Sequence, residues 1–286
     1  MPPDSRSRIA VIGAGTMGHG IAQVAAMAGY ETRLTDTSAD SLAAAWSRIQ
    51  SNLAGAVSRG KLTRARADAA IANIVPVAEL STAARDADLV IEAVVEEMAV
   101  KQSLFRQLDA VVPDETILAT NTSSLSVARI AEGTTRPNRV VGMHFFNPVH
   151  IMKLVEIVTH AGCDESVVAL ARAAAERMGK TTILVRDTPG FASSRLGVAL
   201  GLEAMRMLED GVASAADIDT AMELGYGHPM GPLRLTDLVG LDVRLKIAEY
   251  LHRELADEKF APPRVLREKV ERGELGKKTG KGFYEW

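Results

Sequence analysis

One histidine of this 286-residue chain has a carboxylate placed to serve it. His144 opens the run His-Phe-Phe-Asn147-Pro148-Val-His150, which leads within twelve residues to Glu156. If residues 140–145 and 154–158 form a hairpin, its centre of symmetry falls at residue 150. His144 and Glu156 are equidistant from that centre and would oppose each other on one face, with Cβ atoms about 5 Å apart. A carboxylate against an imidazole fixes the tautomer and raises the basicity of the ring, which suits a general base near neutral pH. The plainer alternative is a half-buried histidine satisfied by any local acceptor, and the hairpin register is itself an assumption. His19, His150, His160, His228 and His252 lack such a pattern and are read as structural or surface residues.

A second cluster of chemistry-bearing residues lies near the start. Gly13-Ala14-Gly15-Thr16-Met17-Gly18 directly follows a β-branched run, Arg8–Ile12, and opens an Ala-rich stretch of helical period. Gly13 permits the tight turn, Gly15 lets the backbone approach a pyrophosphate, and Gly18 lets helix and strand pack closely. The helix N-terminus adds N–H groups and a partial positive charge. The next extended run ends in Asp36, eighteen residues beyond Gly18, where an acid would hydrogen-bond an adenosine ribose and repel a 2′-phosphate. The order strand, fingerprint, helix, strand, acid therefore predicts a Rossmann-like dinucleotide site that takes NAD rather than NADP. A glycine-rich turn with an unrelated surface aspartate is the alternative.

These residues need elements to hold them. Short apolar runs at 8–12, 31–35, 88–92, 116–119, 139–143, 154–158 and 181–185 alternate with helical stretches, which predicts a mostly parallel sheet covered on both faces. Beyond Asp187-Thr188-Pro189-Gly190 such runs cease, and helices are expected over about 191–210, 214–224, 233–256 and 263–272. The fold class is thus α/β, with a Rossmann-like NAD-binding domain over 1–187 and an all-helical C-terminal domain over 188–286. That agrees with about one domain per 150 residues. With 47% hydrophobic and 24% charged residues, the composition excludes a disordered chain. A net charge of -3 supplies no field for polyanions, so nucleic acid is not an expected partner. The single cysteine, Cys163, excludes an internal disulfide and a multi-cysteine zinc site, and no metal is expected. The first eight residues lack the apolar core of a signal peptide, and no apolar run approaches about 18 residues, which predicts a cytoplasmic protein without a membrane span.

Over nearly its whole length the sequence resembles the L-3-hydroxyacyl-CoA dehydrogenases, in particular the single-function 3-hydroxybutyryl-CoA type. The resemblance is carried by Val11–Gly18, Asn121-Thr-Ser-Ser-Leu125, His144–Pro148, Met152–Glu156, Asp187–Phe191, Asp217–Met222, His228–Pro232, Gly240-Leu-Asp242 and Gly276–Tyr284. It implies reversible oxidation of a 3-hydroxyacyl-CoA by NAD, as in fatty-acid β-oxidation. His144 would be the base, Glu156 its support, Ser123 a donor to the reacting oxygen, and Asn147 a residue holding the site near the nicotinamide. It also places Glu96, Lys101 and Lys278 near the cofactor, although Lys101 and Lys278 read almost as well as solvated surface lysines. Asn52 and Arg59 lie where the family contacts CoA. Arg59 belongs to a basic stretch, 41–74, that carries Arg48, Lys61, Arg64 and Arg66 against Asp68 alone among acids.

The sequence departs from the family at one place. An asparagine commonly precedes the arginine after the Asp187–Phe191 motif, and here Ser194 precedes Arg195. The shorter side chain would reach substrate only through a water or a shifted helix. The helical domain would form a homodimer, with Met205, Met207, Met222 and Met230 as core filler or interface. Two other functions remain open: a dehydrogenase of a sugar acid or other non-CoA 3-hydroxy acid, and a catalytically silent NAD-binding structural protein.

Overall fold

β-Branched and aliphatic runs are stiff at χ1 and pack well on a pleated surface, and seven of them become strands at the expected places. The computed structural model describes residues 7–286. The reading of the first eight residues as free of a targeting signal therefore lies largely outside the described residues. The chain divides into two compact units, Met1–Asp187 and Thr188–Trp286.

In the first unit the order is β1 (Arg8–Ile12), α1 (Gly18–Met27), β2 (Glu31–Thr35), α2 (Ala39–Ser58), α3 (Arg64–Ala72), β3 (Ile74–Pro76), α4 (Leu80–Ala84), β4 (Leu89–Glu92), α5 (Met98–Asp109), β5 (Ile117–Thr120), α6 (Val127–Ala131), β6 (Val140–Phe145), β7 (Leu154–Thr159), α7 (Glu165–Arg177) and β8 (Thr181–Arg186). The strands form one sheet in the order β3-β2-β1-β4-β5-β6-β7-β8. Every neighbouring pair is parallel except β6 and β7. The core joins the sheet residues Ile9, Val11, Leu34, Ile91, Val141 and Ile157 to helical residues such as Ile21, Ile49, Leu53 and Ala171. Ser38, Thr63 and Ser126 cap α2, α3 and α6 by accepting backbone N–H groups.

Two expectations about the sheet need correction. β3 has no counterpart in the sequence reading, because three residues ending in Pro76 show no period, and proline confines the strand to an edge. Nor is the sheet covered everywhere: at its other edge, β8 leaves Ile183 39% and Leu184 60% exposed.

The second unit holds α8 (Ser193–Glu209), α9 (Ala215–Tyr226), α10 (Pro232–Val239), α11 (Leu241–Leu255) and α12 (Arg264–Glu271). The single helix expected over 233–256 is two helices. Gly240 sits between them at φ 105°, in the left-handed region that favours glycine, and this ends α10 before α11 begins. Val198, Leu202, Met205, Leu233, Leu241, Leu251, Phe260 and Leu266 form the core of this unit. The C-terminal segment is pinned by Asp237, whose carboxylate accepts the N–H groups of Phe283 and Tyr284 and the Trp286 indole N–H. No helix among the described residues is long and apolar enough to cross a membrane.

Candidate active site

The antiparallel pairing of β6 with β7 sets His144 directly opposite Glu156. The period-2 alternation of paired strands then puts both side chains on one face, and His144 Nδ1 lies 2.7 Å from Glu156 Oε2. Both are buried: His144 is 6% exposed and Glu156 is inaccessible. A carboxylate on Nδ1 selects the tautomer that carries its hydrogen there, so Nε2 is the nitrogen able to accept a proton. The Phe146 ring packs against the imidazole at 4.5 Å between centroids. Because β7 runs against β1–β6, Glu156 enters the site from near the start of its strand, while His144 sits near the end of β6.

The turn that follows β5 is held beside this pair. Asn121 Oδ1 accepts the Phe145 N–H at 2.9 Å, which fastens the Asn121–Leu125 turn to the residue after His144. Glu96 takes the Thr122 hydroxyl at 2.6 Å and the Ser123 N–H at 2.8 Å, both on Oε1. Farther along, Asp187 accepts the Ser126 hydroxyl and the Ala128 N–H at the start of α6, each at 2.8 Å. Asn147 lies exposed on the loop between the two strands. That loop is gripped by Lys180, whose ammonium donates to the carbonyls of Val149 and Met152 and whose pKa is lowered by burial.

Lys101 is not the surface lysine that its sequence context allows. It is 1% exposed, and its ammonium lies 2.6 Å from Glu92 Oε1 and 3.3 Å from Glu96 Oε2. Glu92, fully buried at the end of β4, also accepts the Val94 N–H and the Thr120 hydroxyl. Sequence reasoning assigned no role to Glu92, Asn121, Asp187 or Lys180. For Glu92 a signal was present, an acid ending an otherwise apolar strand.

The fingerprint residues fit a dinucleotide. At Gly13, φ is 102°, and a Cβ there would collide with the Ala93 carbonyl; a Cβ at Gly18 would collide with the Gly13 carbonyl. At Gly15, by contrast, a Cβ would meet nothing, so the backbone there borders open space. Met17 precedes α1 without a side-chain cap, and apart from the His19 N–H, which donates to the Gly15 carbonyl at 3.3 Å, helix-start N–H groups of this kind suit an anion. Asp36, expected at the ribose, also braces the fingerprint turn. It accepts the Ala14 N–H at 2.7 Å and the Ser38 N–H at 2.8 Å. A carboxylate has about four lone-pair sites, so acceptor capacity remains for ribose hydroxyls. Asp36 also borders a cleft of about 450 Å³ walled by Leu42, Trp46 and Pro76.

The other expected contacts lie on α2 and in the second unit. Asn52, half-buried on α2, donates to Gln23 of α1 at 3.1 Å. Arg59 is exposed at the end of α2; Arg48 in the middle of α2, Lys61 in the turn that follows it, and Arg64 and Arg66 on α3 are exposed too. Burial lowers the pKa of His150, and the charges of His19, Lys180 and Arg59 add to that shift. In the second unit Ser194 lies in the first turn of α8, and Lys278 pairs with Asp242 at 2.5 Å.

Residues 8–188 match the family model described as 3-hydroxyacyl-CoA dehydrogenase, NAD binding domain, and residues 190–286 match the one described as 3-hydroxyacyl-CoA dehydrogenase, C-terminal domain. The chain is 45% identical over 279 residues to a probable 3-hydroxybutyryl-CoA dehydrogenase of Bacillus subtilis, covering 98% of this chain and 97% of that protein. It is 43% identical to a 3-hydroxyadipyl-CoA dehydrogenase of Escherichia coli, covering 97% of this chain and 58% of that protein. The crystal structure of an (S)-3-hydroxybutyryl-CoA dehydrogenase from Ralstonia eutropha matches with a TM-score of 0.95 at 38% identity, over 99% of each chain. The first unit, with its fingerprint open at Gly15, is therefore an NAD-binding domain, and the chain belongs to the 3-hydroxyacyl-CoA dehydrogenase family.

Proposed function

We propose that this protein oxidises an L-3-hydroxyacyl-CoA of short chain, 3-hydroxybutyryl-CoA in the first instance, reversibly to the 3-ketoacyl-CoA with NAD. The observation that carries this reading is the 2.7 Å contact between His144 Nδ1 and Glu156 Oε2 within an NAD-binding domain. NAD, when bound, supplies the hydride acceptor. His144 Nε2 takes the proton of the C3 hydroxyl, and Glu156 holds the ring and stabilises its charged form. Ser123, its backbone fixed by Glu96, directs its hydroxyl to the reacting oxygen. Asn147 orients the reacting groups from the adjoining loop, and Ser194 contributes through a water. Gly13–Gly18 hold the pyrophosphate and Asp36 the adenosine ribose. Glu96 serves the second ribose, its carboxylate positioned by Lys101.

CoA phosphates meet the positive charge of Arg59 at the end of α2, and Asn52 contacts CoA from the same helix. The helical unit, residues 188–286, forms a homodimer, a reading supported by its exposed apolar residues Leu196 at 71%, Leu224 at 82% and Tyr226 at 79%. A cytoplasmic setting suits a chain whose one cysteine, Cys163, can form no internal disulfide.

The test is NADH absorbance measured in parallel on acetoacetyl-CoA and on a panel of sugar acids. Turnover of the CoA ester supports the proposal. Turnover of a sugar acid alone, or NAD binding without turnover of either, overturns it.

A further inference from the structure

The path of the cofactor over the first unit is bounded at both ends. Ligands of an open α/β sheet lie outside the carboxyl ends of its strands. Asp36 follows β2 and the fingerprint follows β1, so the adenosine ribose and the pyrophosphate belong over those two strands. His144, which takes the C3 proton as hydride passes to the nicotinamide, stands on β6. The strand order β2-β1-β4-β5-β6 leaves β4 and β5 between these ends, so the nicotinamide riboside crosses their carboxyl ends. Glu92 and Thr120 are the last residues of those strands and lie side by side in register.

The charges beneath that crossing do not balance. Lys101 is the partner of both Glu92 and Glu96, so two carboxylates share one ammonium and one negative charge is left over. Glu92 is inaccessible and Lys101 is 1% exposed, so water screens this part of the cluster weakly. The hydrogen bonds of Glu92, to the Val94 N–H at 2.8 Å and the Thr120 hydroxyl at 2.6 Å, hold its carboxylate in place without neutralising it. The nicotinamide ring carries a positive charge in NAD⁺ and none in NADH. A fixed negative charge therefore attracts the oxidised form alone. At about 8–10 Å, roughly two strand spacings, a unit charge under an effective dielectric of about 20 is worth about 10–30-fold in affinity.

We propose that Glu92 sets how the site discriminates between the two redox forms of its cofactor, raising the affinity for NAD⁺ relative to NADH. Being inaccessible, it acts through the charge it adds to the Lys101–Glu96 pair and not by contact. By linkage, the equilibrium of the bound reactants moves toward NAD⁺ and the hydroxy ester by the same factor, and NADH leaves more easily. The proposal rests on the reading of His144 as the base and adds to it a residue that tunes the cofactor's charge state.

The test is titration calorimetry of NAD⁺ and NADH, read as the ratio of Kd for NADH to Kd for NAD⁺. Glu92→Gln keeps an oxygen for the Val94 N–H and removes the excess charge, and it should lower that ratio by about 10–30-fold. The double change Glu92→Gln with Lys101→Met brings the excess back to one negative charge and should return the ratio toward wild type. A purely structural role for Glu92 would weaken both forms together and leave the ratio alone. Should Glu92→Gln not fold, Glu96→Gln gives the same reading, because its ribose contact is common to both forms and cancels in the ratio. An unchanged ratio in the folded single variant overturns the proposal and leaves the dehydrogenase reading standing. Failure of the wild type to bind either form overturns both.

Discussion

Ser123 donates its backbone N–H to Oε1 of Glu96, 27 residues earlier in the chain, at 2.8 Å. The same oxygen holds the Thr122 hydroxyl, and the other faces the Lys101 ammonium at 3.3 Å. One carboxylate thereby joins the turn that carries Ser123 to the buried charges beneath it. Glu96→Ala should lower kcat/KM by about 10–100-fold, since hydrogen bonds to a charged group are worth about 1.5–3 kcal/mol each. Glu96→Gln, which keeps an accepting oxygen, should lose less. Steady-state kinetics of the two variants decide the point, and wild-type rates in Glu96→Ala would refute a positioning role.

His144→Gln should lose on the order of 10²–10⁴ in kcat, the contribution of a positioned general base, while NAD affinity by titration calorimetry stays close to wild type. Glu156→Gln should also slow turnover and change the pH–rate profile, because an amide cannot stabilise a charged imidazole as a carboxylate does. Retention of more than about a tenth of kcat in His144→Gln would lie well short of that range and count against the dyad.

Asp36 should make NAD the preferred cofactor by repelling a 2′-phosphate. Asp36→Asn should shrink the NAD-to-NADP ratio of kcat/KM by roughly tenfold, equivalent to about 1.4 kcal/mol. Its amide can still accept the Ala14 N–H, so the fingerprint turn keeps that tie. A wild-type preference for NADP would rule out the assignment.

Ser194→Ala should cost about 0.5–1.5 kcal/mol in kcat/KM on acetoacetyl-CoA, the range of one ordinary hydrogen bond. Ser194→Asn restores the longer side chain common in the family and tests whether a direct contact replaces the water. Wild-type kinetics in both variants would remove the residue from the site.

Lys101→Met should destabilise the fold by about 3–5 kcal/mol, because it strands the buried Glu92 carboxylate without its cation. The double change Lys101→Met with Glu92→Met should recover much of that loss. Urea unfolding midpoints measure both. A single variant as stable as wild type would mean that the pair contributes nothing to the fold.

Local pattern and long-range placement account for what the sequence discloses and what it hides. The opposition of His144 and Glu156 is readable because β6 and β7 are neighbours in sequence and the strand period is short. The fingerprint is equally local. Lys101 is hidden because its burial depends on Glu92, which the pairing of β4 with β1 and β5 carries to the same spot. The helix break at Gly240 is masked by a helical pattern that continues through it, and β3 is too short to show a period.

The antiparallel turn at β6–β7 also affects how easily the site assembles. His144 and Glu156 are 12 residues apart, whereas the tie from Ala14 to Asp36 spans 22 residues and that from Arg8 to Asp88 spans 80. Loop-closure entropy grows with the logarithm of separation, so the acid–base pair closes at lower entropic cost than either tie. It is the portable part of the site. New chain termini opened at the exposed turn Arg59–Lys61 would leave the pair on one continuous stretch, whereas termini opened between Phe146 and Lys153 would hand its alignment to the outer strand pairings, β5 with β6 and β7 with β8.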